Sequence, residues 1–479
     1  MRVLFLAAEA APLVKIGGLG DVAGELPRAL IRLGIDVRLA IPRYPQLAEH
    51  IRAQPARAVV DVPRPSGALK AEVHETSMEG VRTWLIGGDP IARVPFVYTD
   101  VAADTSKFVF FVLAALQACR AIGWLPDVVH AHDWHTALAL AWMRTVSDGW
   151  ESTGTLLTIH NLAYLGAGGG DALSEYGIPP ADHPLLPDWA RGLPLPLGMV
   201  HADGITAVSP GYAAEIQTPE FGCGLESFLA SRSGVLQGIL NGIDPDVWDP
   251  AHDLCLASLY DRRSIDSRSA NKADLQRAVG LPVEARTPLL AMITRLEMQK
   301  GVDLAMEAMH LLAGRPWQLV LLGTGDPVLE DRASGFAARE PQRVRFLPTF
   351  DAELARRIYA GTDLILVPSR HEPCGLVQMI GMRYGAVPVV RATGGLKDSV
   401  VGYEPEGKGT GFLFGPAEPQ ALAETVREAL GVYQDTRAWR GLQQRAMAQD
   451  FSWGRSARGY ADLYGKIAAG RAMRRGGAQ

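Results

Sequence analysis

A chain of 479 residues is longer than one hydrophobic core usually organises, and at roughly 150 residues per domain it predicts two or three domains. Hydrophobic residues make up 48% and charged residues 21%, enough to bury sizeable cores. The formal net charge is −5, and Lys and Arg are dispersed except in the tail from Arg471 to Arg475, which we expect to be a solvated helix end. This charge distribution lacks the basic patch that is typical of a nucleic-acid-binding protein, so we expect no nucleic-acid partner.

Cysteine usage and the first residues bear on the compartment. Cys119, Cys223, Cys255 and Cys374 lie far apart without a CxxC pair, which argues against a zinc site and against a disulfide framework. The apolar run MRVLFLAAEAAP is interrupted by Glu9, so it predicts a buried first strand rather than a signal peptide or a membrane span. We therefore expect a cytoplasmic protein without a membrane partner.

Short uninterrupted apolar runs recur between helical stretches. Such runs indicate strands buried on both faces, and strands alternating with helices indicate parallel sheets. One series lies at 3–7, 37–41, 128–132, 156–159 and 205–208, and a second at 289–293, 319–322, 344–347, 364–367 and 387–390. The sequence predicts an α/β protein with two Rossmann-like domains, whose ligands bind at the carboxyl ends of the strands in a cleft between the sheets.

The domain limits follow from the turn-forming residues. NGIDPDVWDP, residues 241–250, separates the two series and favours an exposed hinge. We place the domains at 1–243 and 244–455, with a C-terminal helix over 456–479 that either returns to the first domain or covers its own. The Gly- and Pro-rich stretch 166–196 predicts a long mobile loop.

Three polar segments follow strands of the first series. KIGGLGDV, residues 15–22, precedes a helix predicted over Ala23–Arg32; its glycines and Lys15 suit a phosphate, although an ordinary tight connection has the same form and GxGxxG spacing is absent. HAHDWH, residues 130–135, invites a metal, but Asp133 does not share the spacing of the histidines, so we expect a polar cluster with Asp133 facing the cleft. His160 ends the next strand, where a structural and a catalytic role are about equally expected.

The second series carries the more specific segments. In TRLEMQKG, Arg295 and Lys300 could clamp both phosphates of a pyrophosphate, with plain surface charge as the alternative. LGTGD supplies small residues against which a nucleotide can lie. PSRHEPCGLV, residues 368–377, offers Glu372 to sugar hydroxyls and the following N–H groups to phosphate, and RATGGL, residues 391–396, adds another Gly-rich turn.

Taken in order, the segments KIGGLGDV, HAHDWH, IHNLAYLG, AVSPGYAAEI, ILNGID, TRLEMQKG, LGTGDP, PSRHEPCGLVQ and RATGGLKDSV resemble the glycogen and starch synthase family over nearly the whole chain. The resemblance implies a glycosyltransferase B fold. It also implies a retaining transfer of glucose from ADP-glucose to the non-reducing end of an α-1,4-glucan, without a metal or other cofactor.

The resemblance also implies roles for individual residues. The catalytic set is His160, Glu372, Lys300, Arg295 and Asp133. The donor-binding set is Lys15, Gly17, Gly18, Asn241, Phe350, Cys374, Gly375, Leu376, Thr393, Gly394 and Gly395, in which Phe350 corresponds to an adenine-stacking aromatic.

The sequence departs from the family pattern in two places. Ile16 and Gly20 stand where Thr and Ala are usual, and the segment between Leu165 and Met199 lacks an aromatic-rich stretch. These departures bear on acceptor binding more than on donor binding.

A mechanism and two alternatives follow. Lys300, Arg295 and Lys15 would stabilise the departing diphosphate, while Glu372 and His160 position the sugar; no second nucleophilic carboxylate is evident, which favours front-face attack over a covalent intermediate. One alternative is a related retaining transferase that uses UDP-glucose or makes a trehalose- or sucrose-type disaccharide. The other is a non-catalytic glucan-binding protein.

Overall fold

A computed structural model describes residues 1–405 and 407–476 of the chain. It divides into two compact units: Met1–Gly242 together with the C-terminal segment from Trp453, and Ile243–Ser452. The predicted limits are 243 and 455 and the observed limits are 242 and 452, so the division lies one and three residues earlier than the sequence suggests.

Unit 1 is built on one twisted sheet with the strand order β3-β4-β5-β2-β1-β6-β7-β8-β9. From β5 to β9 every neighbouring pair is parallel. The strands are β1 (Arg2–Leu6), β2 (Asp36–Pro42), β3 (Ala56–Val62), β4 (Leu69–Met78), β5 (Val81–Gly87), β6 (Val128–His132), β7 (Gly154–Ile159), β8 (Gly204–Ala207) and β9 (Leu236–Gly238).

The strands β3, β4 and β5 form an antiparallel ribbon at one edge of this sheet, which the sequence analysis did not predict. Their sequences, ARAVVDV and LKAEVHETSM, alternate polar and apolar residues because one side faces water. A search for uninterrupted apolar runs finds only strands that are buried on both faces, so it passes over this pattern.

The helices of unit 1 cover both faces of the sheet. The one over Val101–Ala121 is long and apolar enough to cross a membrane, but 72% of its apolar window is buried inside the protein, as in a core helix. The helices are α1 (Gly18–Arg32), α2 (Glu49–Arg52), α3 (Asp89–Ala92), α4 (Val101–Ala121), α5 (Asp133–Thr145), α6 (Gly170–Glu175), α7 (Pro194–His201), α8 (Pro210–Glu215) and α9 (Glu226–Ser231), with a 3-10 turn at Asp188–Ala190.

The prediction that 166–196 is a long loop without a core element is wrong in part. This segment contains α6 and the 3-10 turn and ends inside α7, whose residues Leu195 and Leu197 are fully buried. A Cβ added at Gly198 would stand 2.5 Å from Cβ of Ala137, so α7 lies directly on α5. Proline is tolerated in a first helical turn, and this explains why a Pro-rich sequence is helical here.

Unit 2 has an all-parallel sheet with the order β12-β11-β10-β13-β14-β15, the arrangement of a doubly wound nucleotide-binding fold. The strands are β10 (Leu289–Ile293), β11 (Gln318–Leu322), β12 (Val344–Leu347), β13 (Leu364–Val367), β14 (Val387–Arg391) and β15 (Phe412–Phe414). The helices are α10 (Arg268–Ala278), α11 (Val302–His310), α12 (Pro327–Arg339), α13 (Ala352–Gly361), α14 (Val377–Arg383), α15 (Gly394–Ser399), α16 (Pro419–Tyr433) and α17 (Thr436–Met447), with 3-10 turns at Ile265–Ser267 and Met298–Lys300.

The last helix, α18 (Trp453–Gly476), packs on unit 1. Its residue Tyr464 is fully buried and its hydroxyl lies 2.7 Å from Nδ1 of His130. A Cβ added at Gly154, where β7 begins, would stand 2.3 Å from Ile467, so glycine is needed for the helix to approach the sheet. The side chains of Arg474 and Arg475, in the basic tail, lie outside the described residues.

The segment 241–250 is less exposed than its turn-forming sequence suggests. Asn241 and Asp244 are 7% and 8% exposed, and within the segment only Pro245, Asp246 and Val247 are exposed. The expectation of an exposed hinge therefore holds for part of the segment only.

Candidate active site

The strand order of each unit reverses at one point, and the polar segments cluster there. In unit 1 the switch lies between β1 and β6, and in unit 2 between β10 and β13. Loops that leave adjacent strands in opposite directions open a crevice at the carboxyl ends of the strands, which is where doubly wound folds bind ligands. The segments containing Asp133 and His160 lie at the first switch, and those containing Lys300 and Glu372 lie at the second.

The loop after β1 is organised by Glu9, a residue the sequence analysis did not assign to the site. Its side chain is 1% exposed. It accepts hydrogen bonds from the backbone N–H groups of Ile16 and Gly17 and from the hydroxyl of Tyr98, at 3.1 Å for the last two. Burial raises the pKa of Glu9 above its ordinary value.

Glu9 changes what the glycine turn offers to a phosphate. The N–H of Gly17, predicted to bind the donor, is already bonded to Glu9. Lys15 is half exposed and pairs with Asp21 at 2.7 Å. Of the predicted set in this turn, Lys15 and the start of α1 at Gly18 remain for an anionic ligand.

Asp133 and His160 come together at the carboxyl ends of β6 and β7. Oδ1 of Asp133 accepts the backbone N–H of His160 at 2.7 Å and that of Asn161 at 3.4 Å. Asp133 also has φ +53°, a left-handed conformation that is uncommon outside glycine and that marks functional segments more often than ordinary ones. The carboxylate therefore fixes the backbone of His160, while its own side chain is only 7% exposed.

The other histidines of HAHDWH are part of the interior. His130 places one ring nitrogen 2.7 Å from the hydroxyl of Tyr464 and the other 2.7 Å from Oγ1 of Thr158. His132 places Nδ1 2.9 Å from Nε2 of His160. Burial lowers the pKa of His135 and of His160 to about 3, so both rings are neutral at physiological pH. Within residues 1–405 and 407–476, no group of three or more His, Cys, Asp or Glu residues could hold a metal ion.

Asp133 provides a pH-dependent test of this geometry. Burial raises its pKa from 3.8 to about 7. Between these values the folded chain holds a proton that the unfolded chain has lost, so the stability associated with Asp133 is fully present below about pH 4, falls as the pH rises and levels off above about pH 7. Asn tolerates a left-handed φ and can accept the same N–H groups without titrating.

We therefore expect Asp133→Asn to gain melting temperature relative to the parent chain as the pH rises from about 4 to 8. Thermal melts of both proteins across this range measure the difference in melting temperature. The contributions of titratable groups that both proteins share cancel in this difference. A difference that does not change with pH would contradict a buried, titrating Asp133.

The central contact of unit 2 is an ion pair. Nζ of Lys300 lies 2.8 and 3.0 Å from the carboxylate oxygens of Glu372, and the hydroxyl of Ser369 donates to the same carboxylate at 2.8 Å. Lys300 and Glu372 retain only 18% and 10% of their side-chain exposure. The predicted partner of Lys300, Arg295, instead lies 68% exposed beside Glu297, so the two cations do not form a clamp in this structure.

Neighbouring residues hold the two loops of this pair together. Arg370 makes a bidentate ion pair with Asp303, at 2.8 and 2.6 Å, and donates to the carbonyl of Met298 at 2.5 Å. Gly301 has φ +69°, and a Cβ there would stand 2.3 Å from the carbonyl oxygen of Pro368. The turn at Met298–Lys300 thus lies directly against the segment after β13, and glycine is required for that approach.

The second Gly-rich turn backs onto the first. The N–H of Gly395 donates to the carbonyl of Glu372 at 3.1 Å, and a Cβ on Gly395 would stand 2.2 Å from the carbonyl oxygen of Cys374. The buried amide of Gln378 donates to the Gly375 carbonyl and to the Ser399 hydroxyl, both at 2.9 Å. Gly395 therefore packs directly on the segment that contains Glu372 and Cys374, and donor contact of Thr393, Gly394 and Gly395 stays a prediction.

A small cavity opens at the ion pair. It measures about 90 Å³ and is lined by Lys300, Glu372, Ser369, Gly375 and Leu376 together with apolar residues of β10 and β13. Two larger open hollows, about 640 and 560 Å³, are lined by none of the predicted catalytic residues. Chemistry rather than size therefore identifies the candidate site.

Two further predicted residues stand apart from these clusters. The ring of Phe350 is 90% exposed, so it can stack on a ligand. Asn241 is buried, and its Oδ1 has no hydrogen-bond partner in the part of the chain that the structure describes. Each has an unused group, but neither is joined to a catalytic cluster by a hydrogen bond.

Known families match both units. Residues 2–231 match the family described as the starch synthase catalytic domain, and residues 287–431 match glycosyl transferases group 1. A glycogen synthase of Anaeromyxobacter sp. (strain Fw109-5) is 42% identical, with 98% of this chain and 100% of the relative covered. A glycogen synthase of Streptococcus pneumoniae (strain Hungary19A-6) is 39% identical, with 97% and 99% covered.

Solved structures agree with the sequence relatives. The catalytic domain of starch synthase IV from Arabidopsis thaliana, bound to ADP and acarbose, superimposes with a TM-score of 0.88 at 34% identity, over 98% of this chain and 99% of that one. Sucrose-phosphate synthase from Thermosynechococcus elongatus, at 20% identity and a TM-score of 0.64, shares the fold. The family resemblance and the two-unit glycosyltransferase B fold are confirmed, and the chain belongs to the starch and glycogen synthase family of glycosyltransferases.

Proposed function

We propose that the protein transfers glucose from ADP-glucose to the non-reducing end of an α-1,4-glucan with retention of configuration, and so extends glycogen. The observation that carries the proposal is the Lys300–Glu372 pair beside a cavity that Gly375 and Leu376 also line. A cation for the phosphate and a carboxylate for the sugar hydroxyls, around one small space, suit a glycosyl phosphate. Full-length relatives named glycogen synthase support the same reaction.

On the leaving-group side, negative charge develops on the diphosphate as the glycosyl bond breaks. The ammonium of Lys300 has three N–H donors, and two of them satisfy Glu372, which leaves one for a phosphate oxygen. A preorganised cation of this kind is the largest single source of transition-state stabilisation available to such a site. The exposed Arg295 can swing towards the same charge, and Lys15 provides a further mobile cation.

On the sugar side, positioning is the main contribution. Glu372 is held by Lys300 and Ser369 and retains acceptor capacity for a sugar hydroxyl. His160, neutral and fixed through its backbone by Asp133, is a second hydroxyl partner. Because the Glu372 carboxylate is committed to the ion pair, front-face attack remains our preferred route to retention over a covalent glycosyl-enzyme.

ADP-glucose is the proposed donor, with UDP-glucose as the alternative. The starch synthase IV structure was solved with ADP, and Phe350 offers a free aromatic face to a purine. We expect Phe350→Ala to raise KM for ADP-glucose about five- to a hundredfold, the range of one base–aromatic stack, without changing the melting temperature. Steady-state kinetics with both donors measures this, and comparable catalytic efficiency with UDP-glucose in the parent enzyme would contradict the donor choice.

We further propose that catalysis needs no metal ion, because lysine, arginine and backbone N–H groups supply the positive charge. Activity in EDTA should equal that in buffer alone. If EDTA lowered the activity, the histidines of HAHDWH would be the candidate metal ligands, although both ring nitrogens of His130 are already bonded within the protein. Loss of turnover in chelator, restored by a divalent ion, would reverse this proposal.

ADP release from purified protein, ADP-glucose and glycogen tests the function as a whole. A non-catalytic glucan-binding protein would bind glycogen without releasing ADP, and a disaccharide-forming transferase would release ADP only with a small sugar acceptor. We also propose a cytoplasmic location, which fits four cysteines that form no disulfide in the described part of the chain.

A further inference from the structure

The ring of His160 is held by a second histidine. Nε2 of His160 lies 2.9 Å from Nδ1 of His132, a hydrogen-bond distance between two ring nitrogens. The backbone N–H of His160 is bonded to Asp133, the next residue after His132. One short segment at the end of β6 therefore fixes both the main chain and the imidazole of His160.

The surroundings of His132 restrict where its proton can be. The residue is fully buried, with its ring centroid 4.2 Å from that of Phe5 and 4.1 Å from that of His130. Its other nitrogen, Nε2, is buried and has no hydrogen-bond partner in residues 1–405 and 407–476. Burial lowers the pKa of both His132 and His160 far enough that each ring is neutral and carries one N–H.

Two proton arrangements satisfy the contact. If His160 donated from Nε2, His132 would carry its own proton on Nε2 and leave a buried N–H without an acceptor, an arrangement that folded proteins rarely retain. If His132 donates from Nδ1, its Nε2 is an unprotonated nitrogen, and His160 must carry its proton on Nδ1. No hydrogen bond within the described chain accounts for Nδ1 of His160, and that residue is only half-buried, so this N–H is available to a ligand.

We propose that His132 is a positioning residue that presents His160 to the substrate as an Nδ1–H donor. The proposal rests on the proposed transfer reaction, in which a sugar hydroxyl oxygen accepts this hydrogen bond. His132 touches no substrate and acts only through the His160 ring. It was not among the residues assigned from the sequence, because the alternation within HAHDWH does not show which histidine faces β7.

His130 provides the matched control. It lies on the same strand, is equally buried, and has both nitrogens bonded to the hydroxyls of Tyr464 and Thr158 rather than to His160. A general need for buried imidazoles in this strand would affect His130 and His132 alike. A positioning role affects His132 alone.

Nitrogen NMR of the parent protein, labelled with ¹⁵N in the histidine rings, tests the proton arrangement without any activity measurement. The His160 signals are identified by their loss in His160→Gln. We expect a protonated Nδ1 and an unprotonated Nε2 for His160 at neutral pH. The reverse pattern, or a charged ring, would overturn the proposal even if the enzyme were fully active with ADP-glucose.

Kinetics of two variants tests the role. An Asn amide places its N–H close to the position of the histidine Nδ1–H, so His132→Asn should keep kcat within about threefold of the parent, whereas His132→Leu should lower it about tenfold or more, with less change in the donor KM. His130→Gln should leave kcat unchanged. Equal losses of kcat in His132→Asn and His132→Leu, or a loss of the same size in His130→Gln, would show a merely structural role for His132. Absence of turnover in the parent enzyme would defeat the proposed function. The NMR result would still decide the present proposal in that case.

Discussion

Replacing Lys300 with Ala is expected to lower kcat about a hundred- to a thousandfold. Removal of one preorganised electrostatic partner costs roughly 2.7–4 kcal/mol of transition-state stabilisation, and Lys300 is the cation at the candidate cavity. Steady-state kinetics with ADP-glucose and glycogen measures the loss. Lys300→Arg, which keeps the charge, should retain more activity than Lys300→Ala.

Stability has to be separated from chemistry in this variant. Sequence reasoning treats Lys300 as a free cation on a surface loop, whose loss leaves folding intact, but the structure corrects this view, because Lys300 is largely buried against Glu372. Breaking a buried pair can cost up to about 3–5 kcal/mol of folding stability, since it leaves an uncompensated charge. We therefore expect Lys300→Ala to melt at a lower temperature, and the double variant with Glu372→Gln to recover melting temperature without recovering turnover.

A second buried pair in unit 2 serves as the control. Nζ of Lys272 lies 2.7 Å from Asp363 and bonds to backbone carbonyls, away from the cavity. Lys272→Met should lower the melting temperature while leaving kcat near that of the parent. Near-normal turnover of Lys300→Ala, or an equal kcat loss in folded Lys272→Met, would contradict a chemical role for Lys300.

The contrast between Lys300 and Arg295 shows what the sequence can and cannot predict at the site. Both cations lie in one motif, and their spacing suggests a shared phosphate. Which one turns inward is decided by Glu372, 72 residues later in the chain, and by the Arg370–Asp303 pair that brings the two loops together. Such long-range pairing is not encoded in the spacing of either motif.

Glu9 illustrates a different limit. Its two backbone partners lie seven and eight residues away, so the contact is local in sequence. However, the sequence around a carboxylate that follows a buried strand does not show whether the carboxylate will bind nearby backbone N–H groups or take part in catalysis. Before the structure, Glu9 serves only to argue against a signal peptide. Two N–H groups at this turn, those of Ile16 and Gly17, are bonded to Glu9 and are not left for a phosphate.

The fold is more predictable than the site because its main signal is local. Each apolar run of the two parallel series corresponds to an observed strand, and β6, β10, β12 and β13 have the predicted limits. Helix α1 begins at Gly18, five residues before its predicted start at Ala23, because the paired glycines that look like a loop form its first turn. Pattern alone misplaces residues whose conformation depends on a contact such as that of Glu9 with Gly17.

Replacing Glu372 with Gln should lower kcat on the same scale as Lys300→Ala, about a hundredfold or more. Gln has nearly the same shape and can still accept from Ser369, so the variant removes the charge and the strong bond to Lys300 while keeping the packing. Ser369→Ala, which removes a single neutral donor to the carboxylate, is the matched control and should cost about tenfold or less.

The double variant Lys300→Ala/Glu372→Gln decides whether the two residues act as one unit. If the ion pair sets the position of each partner, the first substitution already disorders the second group, and residues that act together show losses that do not multiply. We expect the double variant to be within about threefold of the slower single variant in kcat. Losses that multiply would mean that the ammonium acts on the diphosphate and the carboxylate on the sugar independently, in which case the pair seen between them would be a resting contact that substrate binding breaks.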